Sequence, residues 1–496
     1  MNARVPQSAL NPALALSEVS WAWDEDIVHQ LTDYIRIPAK SPMFDAEWSQ
    51  HGYIDTVIRN AAQWVEAQKV EGLTLDILRL EGRTPVLFFE IPASNGGGAS
   101  QPASGQTVLM YGHLDKQPEF SGWRSDLGPW TPRFEDGKLY GRGGADDGYA
   151  VYASIAAVQV LKSQQLPHPR IVGLIETCEE SGSFDLLPYI DALRAPGYNR
   201  LGDVALVICL DSGAGNYDQL WLTTSLRGMA SGTLKVEVLT EGVHSGDASG
   251  LVPSSFRIMR QVLDRLEDSA TGRLLPEGFH CEVPADRLAQ AQATAKILGD
   301  ELHKRFPWAH HDCGGATAFT LPTTTDPLQA LLRRTWTPTL SVTGADGLPD
   351  LANAGNVLRP YTAFKLSLRL PPLVEAATAV QQLKALLEDN APYQAKVTFE
   401  GSGGATGWNA PSTVPWFENA LNAASSAHFG APCGYIGQGG TIPLMNMLSK
   451  GFPKAQMMVC GVLGPKSNAH GPNEFLHVPY AKKLTAAVAQ VIAQMP

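Results

Sequence analysis

Three short apolar runs constrain the fold of this 496-residue chain more than any other feature: Thr107–Gly112 (TVLMYG), Arg170–Glu176 (RIVGLIE) and Val204–Leu210 (VALVICL). Each run is continuous rather than alternating, and each is rich in aliphatic or β-branched residues. A strand with that pattern is covered on both faces, as parallel strands in α/β sheets are. Between the first two runs lies a helical stretch, Tyr149–Gln164. Strand, helix, strand predicts a βαβ unit in a doubly wound α/β domain. Further helices are expected over 22–38, 54–70 and Ala481–Gln494, and another apolar strand over Gln456–Leu463. In the second helix Val57, Ala61, Trp64 and Val65 recur at helical spacing.

The character changes after Leu226. RGMASGTLKVEVLTE alternates, as a strand with one exposed face does, and so do Ala363–Leu370 and Ala395–Glu400. Helices are expected at Pro253–Leu266 and Val374–Leu387. Alternating strands with helices to one side predict an α+β module over 227–403, inserted between 1–226 and 404–496 of the α/β domain. The Gly-rich SGGATG at 402–407 is expected to mark its end, and Ser94–Gly105 to form a polar surface loop.

With 38 Lys and Arg against 49 Asp and Glu, the net charge is −11, and no basic run appears. Nucleic acid is therefore not an expected partner. No stretch approaches the roughly 18 apolar residues of a membrane helix, and the first residues show no signal-peptide core. Six cysteines lie outside any C-x-x-C pair, and three sit in or beside strand-like runs. The expectation is a soluble, cytoplasmic protein with reduced, mostly buried thiols.

The chemistry sits where the buried strands end. The first leads into His113-Leu114-Asp115, the second into Glu179-Glu180, the third into Asp211, and the Gln456–Leu463 run leads on to His470. Asp146 opens the helix after the first strand. Sites in open parallel sheets form outside the carboxyl ends of strands. So many carboxylates converge only around a cation, because their repulsion otherwise raises their pKa values. Two imidazoles with carboxylates suit Zn²⁺, with Mn²⁺ or Co²⁺ as alternatives, and two open catalytic ions need about five protein ligands. His113, Asp146, Glu180, Asp211 and His470 supply that number, leaving Glu179 as the base. His310-His311 near Cys313 lacks ligand spacing and is expected to hold no metal.

The ordered set H-x-D, G-R-G-x-x-D-D, E-E-x-G-S, a strand-terminal Asp, H-S-G and A-H-x-x-N-E, over about residues 107–480, resembles the M20 metallopeptidases, and within them the carnosinase and cytosolic dipeptidase branch. The resemblance implies a zinc-peptidase (phosphorylase/hydrolase-like) α/β catalytic domain with an inserted lid that mediates homodimerisation. It implies two divalent metal ions per subunit, one held by His113 and Asp211, the other by Glu180 and His470, with Asp146 bridging. Glu179 would deprotonate the bridging water, and Asp115 would orient His113. His244 would support the oxyanion in the partner subunit's site. Asn356, Arg369, Gly440 and Thr441, with Gly439, would contact the substrate, Arg369 gripping its free carboxylate. A cis peptide would join Asp146 to Asp147, and Asp147 would cap the following helix.

The activity implied is exopeptidase hydrolysis of a dipeptide or similar small peptide. An N-acyl-amino-acid deacylase, a glutamate-type carboxypeptidase and a non-catalytic binding relative are the alternatives. The chain departs from the dipeptidase pattern twice. Gly148-Tyr149 stand where a Lys-Gly pair is usual, and Gly437-Gln438 where Arg-Glu is usual. Both changes remove charge, so Gly148 is expected near the substrate, and a substrate less polar than carnosine-like dipeptides is expected.

Overall fold

The computed structural model describes residues 9–95, 105–313, 316–440 and 443–496, so the loop expected at Ser94–Gly105 lies largely outside the described residues. Two compact units emerge, one of Met1–Thr223, Ala410–Ile436 and Leu448–Pro496, the other of Thr224–Asn409 and Gly437–Met447.

The first unit is built on a six-stranded sheet of β1 (Thr74–Leu78), β2 (Val86–Ile91), β3 (Gln106–His113), β4 (Arg170–Glu176), β5 (Asp203–Cys209) and β6 (Gln456–Val459), in the order β1-β2-β4-β3-β5-β6. The three apolar runs become β3, β4 and β5, and all their mutual pairings are parallel. β6 extends the parallel set beyond β5, while β1 and β2 add an antiparallel edge. The sheet is therefore mixed rather than purely parallel, a common outcome for doubly wound folds. β3 lies between β4 and β5, so sheet growth changes direction there. That switch point opens a crevice at the strands' carboxyl ends.

Burial explains the sequence pattern. Every residue of β3 from Thr107 to His113 is buried. Helix α1 (Ala150–Ser163) buries every side chain from Ala150 to Val158, as a helix covered on all sides must. Two glycines permit the close packing. A Cβ on Gly112 would lie 2.5 Å from the Cβ of Ala150. A Cβ on Gly173 in β4 would collide with the ring of Phe89, its cross-strand partner in β2.

The second unit carries a four-stranded antiparallel sheet, ordered Thr339–Asp346, Tyr361–Leu370, Gly228–Glu237, Lys396–Ala405. Gly228–Glu237 alternates buried and half-buried residues along its whole length. Leu234, Val236, Leu366, Leu368 and Phe399 form a core with Ile258 and Met259 from helix Ser255–Leu263 and Leu383 and Leu387 from helix Ala376–Glu388. The first four residues of the Gly-rich stretch at 402–407 belong to the Lys396–Ala405 strand. The glycines serve a bulge between Gly401 and Gly403, where Gly403 takes a φ of 141° that other residues avoid.

Gly173→Ala is expected to destabilise the first unit by about 1–3 kcal/mol, the cost of overpacking. Urea unfolding followed by tryptophan fluorescence reads this, and an unchanged midpoint would contradict the packing described.

Candidate metal centre

The loops that leave β3, β4 and β5 bring their polar residues together. His113 ends β3 and is fully buried. Its Nδ1 lies 3.1 Å from the main-chain oxygen of Asp115 and 3.5 Å from the Asp115 carboxylate. Its Nε2 lies 3.4 Å from Asp146, 3.8 Å from Asp211 and 4.0 Å from Glu179. On the other side of Asp146, Oδ2 is 3.0 Å from Nε2 of His470, which is 3.5 Å from Glu180. Two donor groups result, His113–Asp146–Asp211 and Asp146–Glu180–His470, each with ligand atoms within 4.8 Å of one another. Asp146 belongs to both, and a cis peptide joins it to Asp147.

The electrostatics carry the mark of crowded negative charge. Burial, then the charge of Asp146, pushes Asp211 up to about 7. Burial, then Asp211, raises Glu179 well above the carboxylate range, and burial, then Asp146 and Glu179, raises Glu180. Burial would lower His113, but Asp115 and Asp146 overcome it and raise the imidazole. Burial would raise Asp146, yet its contacts with His113 and His470 hold it down. Carboxylates that can shed their protons only against mutual repulsion, beside a buried imidazole Nε2 with no hydrogen-bond partner among the described residues, fit a divalent cation.

Further contacts hold the ligand-bearing loops in place, some of them from residues the sequence analysis did not single out. The Asp115 carboxylate accepts the main-chain N–H of Glu179 at 3.1 Å and of Glu180 at 3.0 Å, so it fixes the turn that presents both glutamates. Gln117 donates to Glu180 at 2.6 Å. Arg142 pairs with Glu474, both buried, and donates to the main-chain oxygens of His470 at 3.0 Å and Gly471 at 2.9 Å. Glu474 in turn accepts the N–H of Gly143 at 2.9 Å. The pair ties the glycine turn before Asp146 to the loop that carries His470. The signal available was the presence of Arg142 and Glu474 inside the two motifs.

One expectation is corrected. Asp147 does not cap α1, which has no side-chain cap, and both Asp147 oxygens are buried without a hydrogen bond among the described residues. Gly148, which stands where a lysine is usual, is buried and closely packed. A Cβ there would collide with the buried ring of Tyr34. The ammonium of Lys116 sits 3.8 Å from the centre of that ring and donates to the main-chain oxygens of Tyr34 and Ile37, each at 2.7 Å. A side chain at 148 is excluded because the Tyr34 ring and the main-chain oxygen of Gly143 already fill the space.

The remaining expected residues lie in the second unit. His244 is exposed and pairs with Val357, and its Nδ1 accepts the N–H of Gly246 at 3.1 Å. The main-chain oxygen of Asn356 accepts from Ser245 at 3.0 Å, so His244 and Asn356 are brought to neighbouring positions. Arg369 is half-buried on the Tyr361–Leu370 strand, opposite Thr339 and Met229. Gly440 is exposed, and Thr441 lies outside the described residues.

The sequence model of Peptidase family M20/M25/M40 matches residues 109–494. The cysteinylglycine-S-conjugate dipeptidase of Corynebacterium striatum is 27% identical over 436 residues, covering 85% of this chain and 88% of that protein. The Beta-Ala-His dipeptidase of Homo sapiens is 26% identical over 395 residues, covering 76% and 70%. Among solved structures, human carnosine dipeptidase 1 superposes with a TM-score of 0.75 at 21% identity, covering 99% of this chain and 100% of that one. The di-peptidase Dug1p from Saccharomyces cerevisiae gives 0.72 at 20% identity, covering 98% and 100%. At these identities the two structures show a shared fold.

Glu474→Gln is expected to cost about 3–5 kcal/mol, because it leaves Arg142 buried without its counter-charge. Chemical denaturation measures it, and a loss below about 1 kcal/mol would mean that the pair does not brace the two loops.

Proposed function

This chain belongs to peptidase family M20/M25/M40 and is a metal-dependent peptidase; from that premise we propose that it is an exopeptidase that hydrolyses dipeptides through a dinuclear centre. The observation that carries the reading is the pair of donor groups sharing Asp146, with Glu179 beside them, 4.0 Å from His113 Nε2. We assign His113 and Asp211 to one ion, Glu180 and His470 to the other, and Asp146 to both. Bound there, two divalent ions, Zn²⁺ with Mn²⁺ or Co²⁺ as alternatives, supply Lewis acidity toward the scissile carbonyl and acidify the attacking water.

The protein's own groups do the rest. Glu179 takes the proton of the attacking water on its carboxylate and then delivers it to the leaving amine nitrogen. Asp115 keeps Glu179 in position through the main-chain N–H it accepts. We assign the oxyanion to His244 of the partner subunit in a homodimer formed through the second unit. Asn356, Arg369, Gly440 and Thr441 are assigned to the substrate, with the Arg369 guanidinium on its free carboxylate.

Dipeptides are favoured as substrates because the curated relatives bear dipeptidase names. Five described cysteines are free, which suits a reducing compartment, and we place the protein in the cytoplasm. Among the described residues no helix is long and apolar enough to cross a membrane.

A dipeptide panel on metal-loaded protein tests the reading. Chelation is expected to abolish hydrolysis, and readdition of a divalent ion to restore it, with two ions bound per chain by elemental analysis. Chelator-resistant activity or a single ion per chain would overturn the dinuclear assignment. Glu179→Gln is expected to lower kcat by about a hundredfold to ten-thousandfold while both ions stay bound. Near-normal turnover in that variant would remove Glu179 from the role of base.

A further inference from the structure

The turn that presents Glu179 and Glu180 is closed by a residue to which the hydrolysis just described gives no role. Ser183 ends the E-E-x-G-S motif, is buried, and takes a φ of 54°. That left-handed backbone favours glycine, and a residue with a Cβ stays there only where its surroundings hold it. The N–H of Ser183 donates to the main-chain oxygen of Cys178 at 2.9 Å, which folds the chain back around the two glutamates. Inside that loop the N–H of Gly182 donates to the main-chain oxygen of Glu179 at 2.6 Å.

The side chain supplies the reason for a serine. Its hydroxyl donates at 2.8 Å to Oε1 of Glu176, the last residue of β4. Glu176 is buried, and the same oxygen accepts the hydroxyl of Tyr111 at 2.6 Å. Oε2 has no hydrogen-bond partner among the described residues, so the two hydroxyls are what this carboxyl serves. Tyr111 stands two residues before His113 on β3, so the two side chains leave the same face of the sheet. Thr177, next after Glu176, donates to the main-chain oxygen of Pro85 at 2.6 Å. Glu176 is thus anchored to the sheet before it meets the turn. Burying a carboxyl is costly, and neither the ligand set nor the proton transfer uses this one. Asp115 holds the entry to the turn through the N–H groups of Glu179 and Glu180, while Glu176 holds its exit through Ser183. A turn fixed at its entry alone can still pivot, and the Glu179 carboxylate would move with it.

We propose that Glu176 and Ser183 are positioning residues for the reaction: their contact locks the exit of the turn and so keeps the Glu179 carboxylate aimed at the attacking water. The inference rests on the reading of Glu179 as the base.

Ser183→Gly is the informative variant, because it removes the hydroxyl while suiting the backbone. It is expected to keep the wild-type urea midpoint, since relief of the backbone offsets the lost hydrogen bond, and to keep both ions by elemental analysis. Its kcat is expected to fall about tenfold with KM changed by less than about twofold, as misplacement of a reacting group predicts. Glu176→Leu is expected to lose kcat in the same way. Glu176→Gln, which keeps an acceptor for both hydroxyls, is expected to recover most of that loss. In a Glu179→Gln background Ser183→Gly is expected to cost nothing further. A purely structural contact would lower the urea midpoint and leave the kcat of the folded enzyme at the wild-type value, which would overturn the proposal. So would equal kcat in Glu176→Gln and Glu176→Leu, or the full loss repeated in the Glu179→Gln background. If Glu176→Leu does not fold, Ser183→Gly decides alone. Near-normal turnover in Glu179→Gln by itself would strike the reading of the base, so the two failures are told apart.

Discussion

Repulsion between buried carboxylates is the constraint on which the first unit turns. Asp146, Asp147, Glu179, Glu180 and Asp211 are held where burial and one another's charges work against ionisation, Asp146 alone being held down by its two imidazoles. A chain gains nothing in stability from such a cluster by itself. It becomes favourable when a multivalent cation sits between the oxygens, and the alternation of carboxylates with His113 and His470 supplies the mixed donor set that transition ions prefer. The parallel sheet makes the convergence possible, since β3, β4 and β5 all point their carboxyl ends the same way.

Convergence alone does not fix geometry, and much of the surrounding polar structure is spent on that. Asp115 is held below the usual carboxylate range: burial would raise it, but its contact with His113 prevails. It remains charged and holds the main chain of the two glutamates. Arg142 and Glu474 brace the two loops that flank Asp146 and His470. Lys116 joins the chain at Tyr34 and Ile37 to the floor beneath the glycine turn. A Cβ on Gly143 would run into the Lys116 stem at 2.8 Å, so the turn and the lysine define each other's place. Support of this kind is what keeps metal ligands in one orientation.

The second unit is held by packing instead. Its sheet is an ordinary one-faced α+β layer whose alternation is plain in the sequence. What it adds is the approach of Arg227 and Arg334 to one glycine turn, at Gly439. The two arginines are not close in sequence, and neither belongs to a recognisable motif.

The sequence by itself determined the buried strands, the main helices, the family and the residue types gathered at the metal centre. It could do so because each is written locally: continuous apolar runs record burial on both faces, and short motifs keep ligands at strand ends. The tertiary structure decided the rest. β1 and β2 join the sheet as an antiparallel extension beside β4, which their own sequence pattern does not announce. Arg142 and Glu474 are 332 residues apart and meet only in the fold. The glycines at 401–404 carry no strand pattern until pairing with Gly228–Glu237 makes them strand and bulge. Gly148 stands where a lysine is usual, and only the fold shows that the Tyr34 ring and the Gly143 carbonyl leave no room for a side chain there. In each case the deciding contact joins residues distant along the chain, and packing between distant residues leaves no periodicity in the sequence that could announce it.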